Sequence, residues 1–265
     1  MPENIKSGAD HMETKQLKYD FLKDSDREFP TMVVVGITNV CNLACVHCYY
    51  KDFIKLPRYK PAFMDPKLYK KIVDEVSLYP GVIFNFGTYG EPLLHEDFLE
   101  LLRYARKKRL NPINITTNGT MLDKEISKQI VEERLTDVLN ISVDAFTKEG
   151  YEKVRGTCFE KVISNVHGLI DINAKHNSPL KIMVNMIDQS EVHHELEDFK
   201  KYWEPKVDKV IIRYYYSCHG LLDRNKERFA KVDRWPCYQL WSRIFITHEG
   251  KALYCCVADW FLKTV

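Results

Sequence analysis

The chain has 265 residues, of which 45% are hydrophobic and 29% charged, a composition that suits a globular protein with one sizeable core and a small appendage. Its formal net charge of +2 gives no reason to expect nucleic acid or a membrane surface as a partner. No apolar run approaches the roughly 18 to 20 residues that span a bilayer, and Met1–Lys18 lacks the apolar stretch of a secretory signal. We therefore expect a cytoplasmic protein.

From Met32 onward, short apolar runs rich in β-branched residues alternate with stretches of helical periodicity. The predicted strands are Met32–Ile37, Val82–Phe86, Ile113–Thr116, Val138–Val143, Leu180–Ile187 and Val207–Tyr214. The predicted helices between them are Pro66–Tyr79, Glu96–Lys108, Lys124–Arg134, Glu160–His176 and Glu195–Trp203. This alternation predicts an α/β fold with parallel strands, either an open doubly wound sheet or a full or partial TIM-like barrel. No G-x-G-x-x-G motif follows the first strand, which disfavours a dinucleotide-binding open sheet.

Three cysteines, Cys41, Cys45 and Cys48, follow the first predicted strand with the spacing C-x3-C-x2-C. Structural zinc sites usually combine paired C-x2-C segments into four ligands. Three close thiolates without a nearby fourth are better suited to a [4Fe–4S] cluster that keeps one iron open, with zinc as the alternative. The loop also lies at the carboxyl end of a strand, where parallel α/β folds place their sites.

Four further segments follow or end predicted strands. They are Gly87-Thr88-Tyr89-Gly90-Glu91-Pro92, Thr116-Thr117-Asn118-Gly119, Ile141-Ser142-Val143-Asp144 and Arg155-Gly156. Read singly, they could be a glycine-rich loop, a turn, strand-end caps and a solvated helical arginine. Strand alternation would place Ser142 and Asp144 on one face. Together with the cysteine loop, the four segments resemble the radical S-adenosylmethionine (radical SAM) superfamily.

The resemblance implies a partial (β/α)6 TIM-like barrel and a cluster held by the three loop cysteines. It also implies that S-adenosylmethionine (SAM) chelates the open iron and is held by Gly90, Glu91, Pro92, Asn118, Ser142, Asp144 and Arg155. The match is incomplete, because Tyr89 replaces a glycine and His47 stands where the superfamily usually has an aromatic residue. The implied activity is reductive cleavage of SAM to a 5′-deoxyadenosyl radical that abstracts hydrogen from a substrate. The electron donor would be of the flavodoxin or ferredoxin type.

A second cysteine pattern lies near the C-terminus, where Cys237, Gly250 and Cys255 surround a predicted hairpin of Ser242–His248 and Ala252–Cys255. It resembles the opening of SPASM and twitch modules, whose cysteines hold an auxiliary [4Fe–4S] cluster. The later cysteines of that pattern are missing. Either the chain is truncated, the cluster is incomplete, Cys218 or Cys256 substitutes, or the cysteines have a structural role.

These patterns divide the chain into four predicted parts: residues 1–30 as a lead-in, 31–216 as the radical SAM barrel, 217–236 as a linker, and 237–265 as the start of an auxiliary module. About 30 residues precede the barrel, too few for the N-terminal peptide-binding domain of many SPASM enzymes. We therefore expect an oxidoreductase that acts on a small molecule of the sugar or aminocyclitol type. The alternatives are a peptide- or protein-modifying maturase and a non-catalytic regulatory protein that binds SAM and iron–sulfur.

Overall fold

The structure, a computed structural model, describes residues 29–87, 89–215, 237 and 239–256. The predicted lead-in and linker, and the end of the predicted auxiliary module, lie almost wholly outside these residues. Among the described helices, none is both long and apolar enough to cross a membrane.

Strands and helices alternate along the chain as predicted. The strands are β1 (Met32–Val35), β2 (Ile83–Phe86), β3 (Ile113–Thr117), β4 (Val138–Ser142), β5 (Lys181–Asp188), β6 (Lys209–Tyr214), β7 (Arg243–Ile246) and β8 (Ala252–Leu253). The helices are α1 (Tyr50–Phe53), α2 (Pro66–Val76), α3 (Phe98–Lys107), α4 (Lys124–Glu132), α5 (Lys148–Arg155), α6 (Phe159–Lys175), α7 (Leu196–Trp203) and α8 (Gln239–Ser242). Two 3₁₀ turns, Pro92–Leu94 and His193–Glu195, complete the set.

The strands form one sheet in the order β6-β5-β4-β3-β2-β1-β7-β8. Every neighbouring pair from β6 to β7 is parallel, and β7 pairs with β8 in antiparallel fashion. The order from β1 to β6 never reverses, so right-handed crossovers place every connecting helix on the same face of the sheet. A doubly wound sheet requires a reversal. The order therefore confirms the barrel-type α/β fold.

The two faces of the sheet pack into different cores. Val33 and Val35 of β1 are fully buried in the large core between the strands and the helices, together with Tyr69 of α2 and Leu102 of α3. Val34, which alternates with them, points to the opposite face and packs in a smaller cluster of mostly aromatic residues. Cys41 and Cys48 contact this second cluster. The inner face and the carboxyl ends of the strands therefore carry the cysteine loop.

The C-terminal hairpin belongs to the same sheet as the barrel. β7 pairs in parallel with β1 along its whole length, from Met32 opposite Arg243 to Val35 opposite Ile246. The sequence predicts a longer first strand, Ser242–His248, but the hydrogen bonds of Thr247 already belong to the turn before β8. The hairpin is therefore an extension of the barrel edge beside the cysteine loop.

Helix α5 is not predicted as a separate element, although it carries Arg155. It begins after Thr147, whose hydroxyl accepts the Gly150 N–H, and it ends at Gly156. Gly156 has a φ of 72°, the left-handed conformation that ends many helices and that glycine adopts without strain. The helix is short and its sequence is mostly polar, so apolar periodicity is too weak to reveal it.

A buried carboxylate fixes the start of α5. Glu195 is 3% exposed and accepts hydrogen bonds from the backbone N–H groups of Phe146 (2.6 Å) and Thr147 (2.9 Å) and from the Thr147 hydroxyl (2.6 Å). Its negative charge lies at the N-terminus of α5, where the helix dipole favours it. The connection after β5 thereby anchors the helix that follows β4.

We predict that Glu195→Gln lowers the free energy of unfolding by about 1.5–3 kcal/mol, because the amide has one acceptor oxygen in place of the two that three buried donors use. The measurement is a urea titration followed by circular dichroism. Glu197→Gln is the matched control, since the Glu197 side chain is 86% exposed and pairs with Lys200. The free energy of unfolding of Glu197→Gln should differ from that of the wild type by less than about 0.5 kcal/mol. Equal effects of the two substitutions would show that Glu195 does not anchor α5.

Candidate active site

A cleft of about 250 Å³ lies at the carboxyl ends of β1 to β5. It brings together all three loop cysteines and six of the seven predicted SAM contacts: Gly90, Glu91, Asn118, Ser142, Asp144 and Arg155. Pro92 does not line the cleft. It is buried at the start of the 3₁₀ turn behind Glu91.

The cysteine loop is held by its own backbone and by neighbouring elements. The Cys48 N–H donates to the Cys45 carbonyl (3.0 Å), and the Cys41 N–H donates to the Tyr50 hydroxyl (2.8 Å). The Val46 N–H donates to the carbonyl of Val154 in α5 (2.9 Å). The loop is therefore tied to α1 on one side and to α5 on the other.

Each of the three sulfur atoms accepts an N–H donor. The Tyr50 backbone N–H lies 3.5 Å from Cys48 Sγ, the Asn118 side-chain amide lies 3.8 Å from Cys41 Sγ, and Arg155 Nη1 lies 3.6 Å from Cys45 Sγ. Hydrogen bonds of this kind stabilise sulfur in its negatively charged form, as iron–sulfur sites require. The donor set therefore fits a cluster bound through three thiolates.

Without a metal, burial favours the protonated form of the Cys41 and Cys45 thiols. Burial raises the pKa of Cys41 to about 11, and it also raises the pKa of Cys45 although Arg155 opposes the effect. Among the described residues, no three His, Cys, Asp or Glu side chains are arranged around a single ion position. A four-iron cluster needs no such arrangement, because each thiolate binds a different iron. Cluster binding must release protons from the thiols.

The Gly90-Glu91 segment packs directly on the chain that leads into the cysteine loop. The Glu91 N–H donates to the Val40 carbonyl (2.8 Å), and a Cβ on Gly90 would lie 2.6 Å from the carbonyl oxygens of both Thr38 and Val40. Residue 90 must therefore be glycine for this approach to occur.

The Glu91 carboxylate, 2% exposed, joins the ends of β2 and β3. It accepts hydrogen bonds from the Asn118 N–H (2.7 Å), the Thr117 hydroxyl (2.7 Å) and the Leu93 N–H (3.2 Å). Burial raises the pKa of Glu91, and these three donors oppose the effect. Oε1 accepts two of these bonds, whereas Oε2 accepts only that of Asn118 and keeps acceptor capacity that a ligand ammonium could use.

Asn118 takes part in a polar network beside Cys41. Its amide nitrogen donates to Asn42 Oδ1 (2.8 Å), and its oxygen accepts from the Thr120 N–H (2.9 Å) and hydroxyl (2.7 Å). Asn42 donates in turn to the Thr120 hydroxyl (2.8 Å). The network fixes the side chain of Asn118 toward the cysteine sulfur.

Ser142 and Asp144 both line the cleft, but strand alternation does not put them there. β4 ends at Ser142, and Asp144 has a φ of 63°, so the chain turns sharply between them. Asp144 Oδ1 accepts the Ile187 N–H (2.9 Å), and its Oδ2 pairs with Arg155 and lies 3.5 Å from His47 Nε2. The turn aims the carboxylate at the end of α5.

Arg155 is buried, not solvated as a lone helical arginine would be. It is 5% exposed and contacts both Asp144 and Cys45. Burial alone would lower the pKa of Arg155, but Asp144 and Cys45 outweigh it, so the pKa lies above its ordinary value. The guanidinium is therefore a fixed positive charge beside the cysteine loop.

Comparison with known proteins identifies the family of the chain. The sequence model of the Radical SAM superfamily matches residues 35–202, which is more than half of the chain. This chain belongs to the radical SAM superfamily. Members of the superfamily use a [4Fe–4S] cluster and SAM, which confirms the cofactors predicted from the cysteine loop.

The relatives differ in length and identity. GTP 3′,8-cyclase of Synechocystis sp. is 27% identical over 190 residues, which are 69% of this chain and 55% of the cyclase. SuiB of Streptococcus suis, bound to its precursor peptide SuiA, has a TM-score of 0.67 at 17% identity, covering 89% of this chain and 62% of SuiB. BtrN in complex with AdoMet and 2-DOIA has a TM-score of 0.57 at 18% identity, covering 90% of this chain and 77% of BtrN. These structures show that the fold is shared.

The C-terminal cysteines of this radical SAM chain lie near one another. Burial raises the pKa of Cys256 to about 11, and the neighbouring Cys255 and Cys237 add to the effect. Cys255 also contacts the inner aromatic cluster that Cys41 and Cys48 contact. Cys218 lies outside the described residues.

Two residues in or beside the radical SAM cleft, Gln189 and Asn42, are not part of the sequence motifs. Gln189 follows β5 directly, and its amide nitrogen lies 3.1 Å from His47 Nδ1. Asn42 lies between two of the cysteines and connects the loop to β3 through Asn118. A search of every strand end and every polar residue in the cysteine loop would have found both.

We predict that Gly90→Ala lowers the amount of iron bound per chain severalfold and destabilises the fold by about 1–3 kcal/mol, because the added methyl overlaps two fixed carbonyl oxygens. Iron assay after anaerobic reconstitution and urea unfolding measure the two effects. Gly168→Ala in α6 is the control, since nothing lies within 4 Å of its added Cβ. This change should raise stability by about 0.5–1 kcal/mol and leave the iron content unchanged. Normal iron binding by Gly90→Ala would contradict the proposed packing requirement.

Proposed function

We propose that this chain is a catalytically active radical SAM enzyme in which Cys41, Cys45 and Cys48 hold the [4Fe–4S] cluster. The observation that carries the proposal is the N–H donor placed on each of the three sulfur atoms within one cleft. A loop that merely packed its cysteines as small apolar side chains would not need three separate donors.

Different residues around the cysteines bind different groups of SAM. Glu91 offers its carboxylate oxygen Oε2 to the SAM ammonium at the ends of β2 and β3, and Gly90 keeps the backbone close enough for this. Asn118, Ser142 and Asp144 line the cleft between β3 and β5. Arg155 offers its guanidinium to the SAM carboxylate, and its buried Nε has no hydrogen-bond partner among the described residues. Pro92 supports this arrangement from behind Glu91.

When bound, the cluster and SAM together supply a 5′-deoxyadenosyl radical that abstracts hydrogen from an unactivated C–H bond. The chain's own residues position the substrate at the open side of the cleft. Leu43 and Ile187 add apolar surface to the cleft beside the polar groups. An external reductant of the flavodoxin or ferredoxin type would supply the electron.

For the substrate we infer a small molecule that undergoes oxidation, such as a sugar or aminocyclitol alcohol. Oxidation needs an acceptor for a second electron, and Cys237 and Cys255, with Cys256 beside them, are the thiols that could hold an auxiliary [4Fe–4S] cluster for this purpose. The similarity to BtrN, whose complex contains 2-DOIA and whose chain is 77% covered, supports this inference.

Modification of a peptide is the second candidate function. SuiB, solved with its precursor peptide, has the higher TM-score of the two structures, 0.67 against 0.57. Tyr214 at the end of β6 is 76% exposed, and it could contact either kind of substrate, while the neighbouring Tyr215 is buried in the inner aromatic cluster.

We predict that the anaerobically reconstituted, dithionite-reduced protein converts SAM to 5′-deoxyadenosine and methionine. Cys45→Ala should reduce the yield to that of cluster-free protein, because one iron loses its thiolate. Cys158→Ala should retain the wild-type yield, since Cys158 is exposed and outside the cleft. Liquid chromatography with mass detection measures the product. A wild-type yield no higher than that of Cys45→Ala would refute the enzyme proposal and favour a non-catalytic SAM-binding protein.

We predict about eight irons per reconstituted chain, because each [4Fe–4S] cluster contributes about four. The double substitution Cys237→Ala/Cys255→Ala should lower the count to about four while 5′-deoxyadenosine formation in the absence of substrate persists. Iron and acid-labile sulfide assays make the measurement. A wild-type count of about four, unchanged by the double substitution, would rule out the auxiliary cluster.

A further inference from the structure

The buried ion pair of Arg155 and Asp144 lies against the cysteine loop and contacts one of its sulfur atoms. Arg155 Nη1 lies 3.6 Å from Cys45 Sγ, while Nη2 contacts Asp144 Oδ2. The two side chains are 5% and 1% exposed, so bulk water screens neither charge. Both charges therefore lie close to a predicted cluster ligand. The positive charge of Arg155 contacts Cys45 directly, and the negative charge of Asp144 contacts Arg155.

The position of this pair is fixed by other elements of the barrel. Asp144 Oδ1 accepts the Ile187 N–H at the end of β5, and Asp144 Oδ2 lies 3.5 Å from His47 Nε2. Arg155 is the last residue of α5, whose first turn is held by Glu195. The anchored Asp144 carboxylate and the end of α5 therefore hold the guanidinium against Cys45, without any contribution from SAM.

The three sulfur atoms receive donors of different charge. Cys48 accepts a hydrogen bond from a neutral backbone N–H, and Cys41 accepts one from a neutral side-chain amide. Cys45 accepts its hydrogen bond from a charged guanidinium. Hydrogen bonds to sulfur and nearby net charge are the main means by which a protein sets the reduction potential of an iron–sulfur cluster. Reduction adds one negative charge to the cluster, so a nearby positive charge favours the reduced form and a nearby negative charge disfavours it.

We propose that the Arg155–Asp144 pair sets the reduction potential of the cluster through Cys45, with Arg155 making reduction easier and Asp144 limiting the effect. This role is separate from any contact that Arg155 makes with SAM, and it rests on the proposed function only in requiring a cluster on the three loop cysteines. Arg155 and Asp144 act here as tuning residues for the cluster.

The test is a redox titration of the reconstituted cluster in the absence of SAM, followed by electron paramagnetic resonance of the reduced form. Arg155→Met should shift the midpoint potential to more negative values, and Asp144→Asn should shift it to less negative values. The double variant Arg155→Met/Asp144→Asn should fall between the two, since it removes both charges and leaves neither buried alone. If Arg155→Met binds too little cluster to titrate, the sign of the midpoint-potential shift in Asp144→Asn alone tests the proposal.

Arg103→Met is the matched control, because Arg103 is also an arginine paired with carboxylates but lies on the outer surface of α3. Its midpoint potential should equal that of the wild type. A midpoint potential of Asp144→Asn that equals the wild type, at equal iron content, would overturn the inference while leaving the proposed function intact. A wild-type chain that binds no cluster would overturn both.

Discussion

The site depends on one buried carboxylate, that of Glu91. Its backbone N–H is bonded to Val40 just before the cysteine loop, and its side chain accepts from Thr117 and Asn118 at the end of β3. A buried carboxylate without donors would be strongly unfavourable, so these contacts are needed for it to remain in place. Glu91 follows β2, and these partners lie after β1 and at the end of β3. The position of the cysteine loop is therefore linked to that of Asn118.

The second constraint is electrostatic. Glu91 and Asp144 are buried acids, and Arg155 is the buried base that faces Asp144 and Cys45. Ionising three cysteines in the same cleft would add three more negative charges with no matching cation. Burial accordingly keeps the Cys41 thiol protonated well above neutral pH. A positively charged iron–sulfur core would relieve this imbalance, and so the cleft is electrostatically suited to a cation-rich group.

Much of the fold could be predicted from the sequence, because buried parallel strands are recognisable as short runs rich in β-branched apolar residues. Helix α5 could not, because its stability comes from Thr147, Glu195 and Gly156 and not from an apolar stripe. The site residues could be named from motifs, but their partners could not. That Arg155 would face Asp144 and Cys45 depends on the left-handed turn at Asp144, which strand alternation does not foresee.

The parallel pairing of β7 with β1 bears on the relation between the two groups of cysteines. It joins the C-terminal hairpin to the strand that leads into the cysteine loop, and it brings Phe245 and Leu253 into the inner aromatic cluster. Cys41, Cys48 and Cys255 all contact that cluster. Sequence spacing alone suggests a separate module after a linker. The sheet instead makes both cysteine groups depend on one apolar core, so a change in that core should affect both.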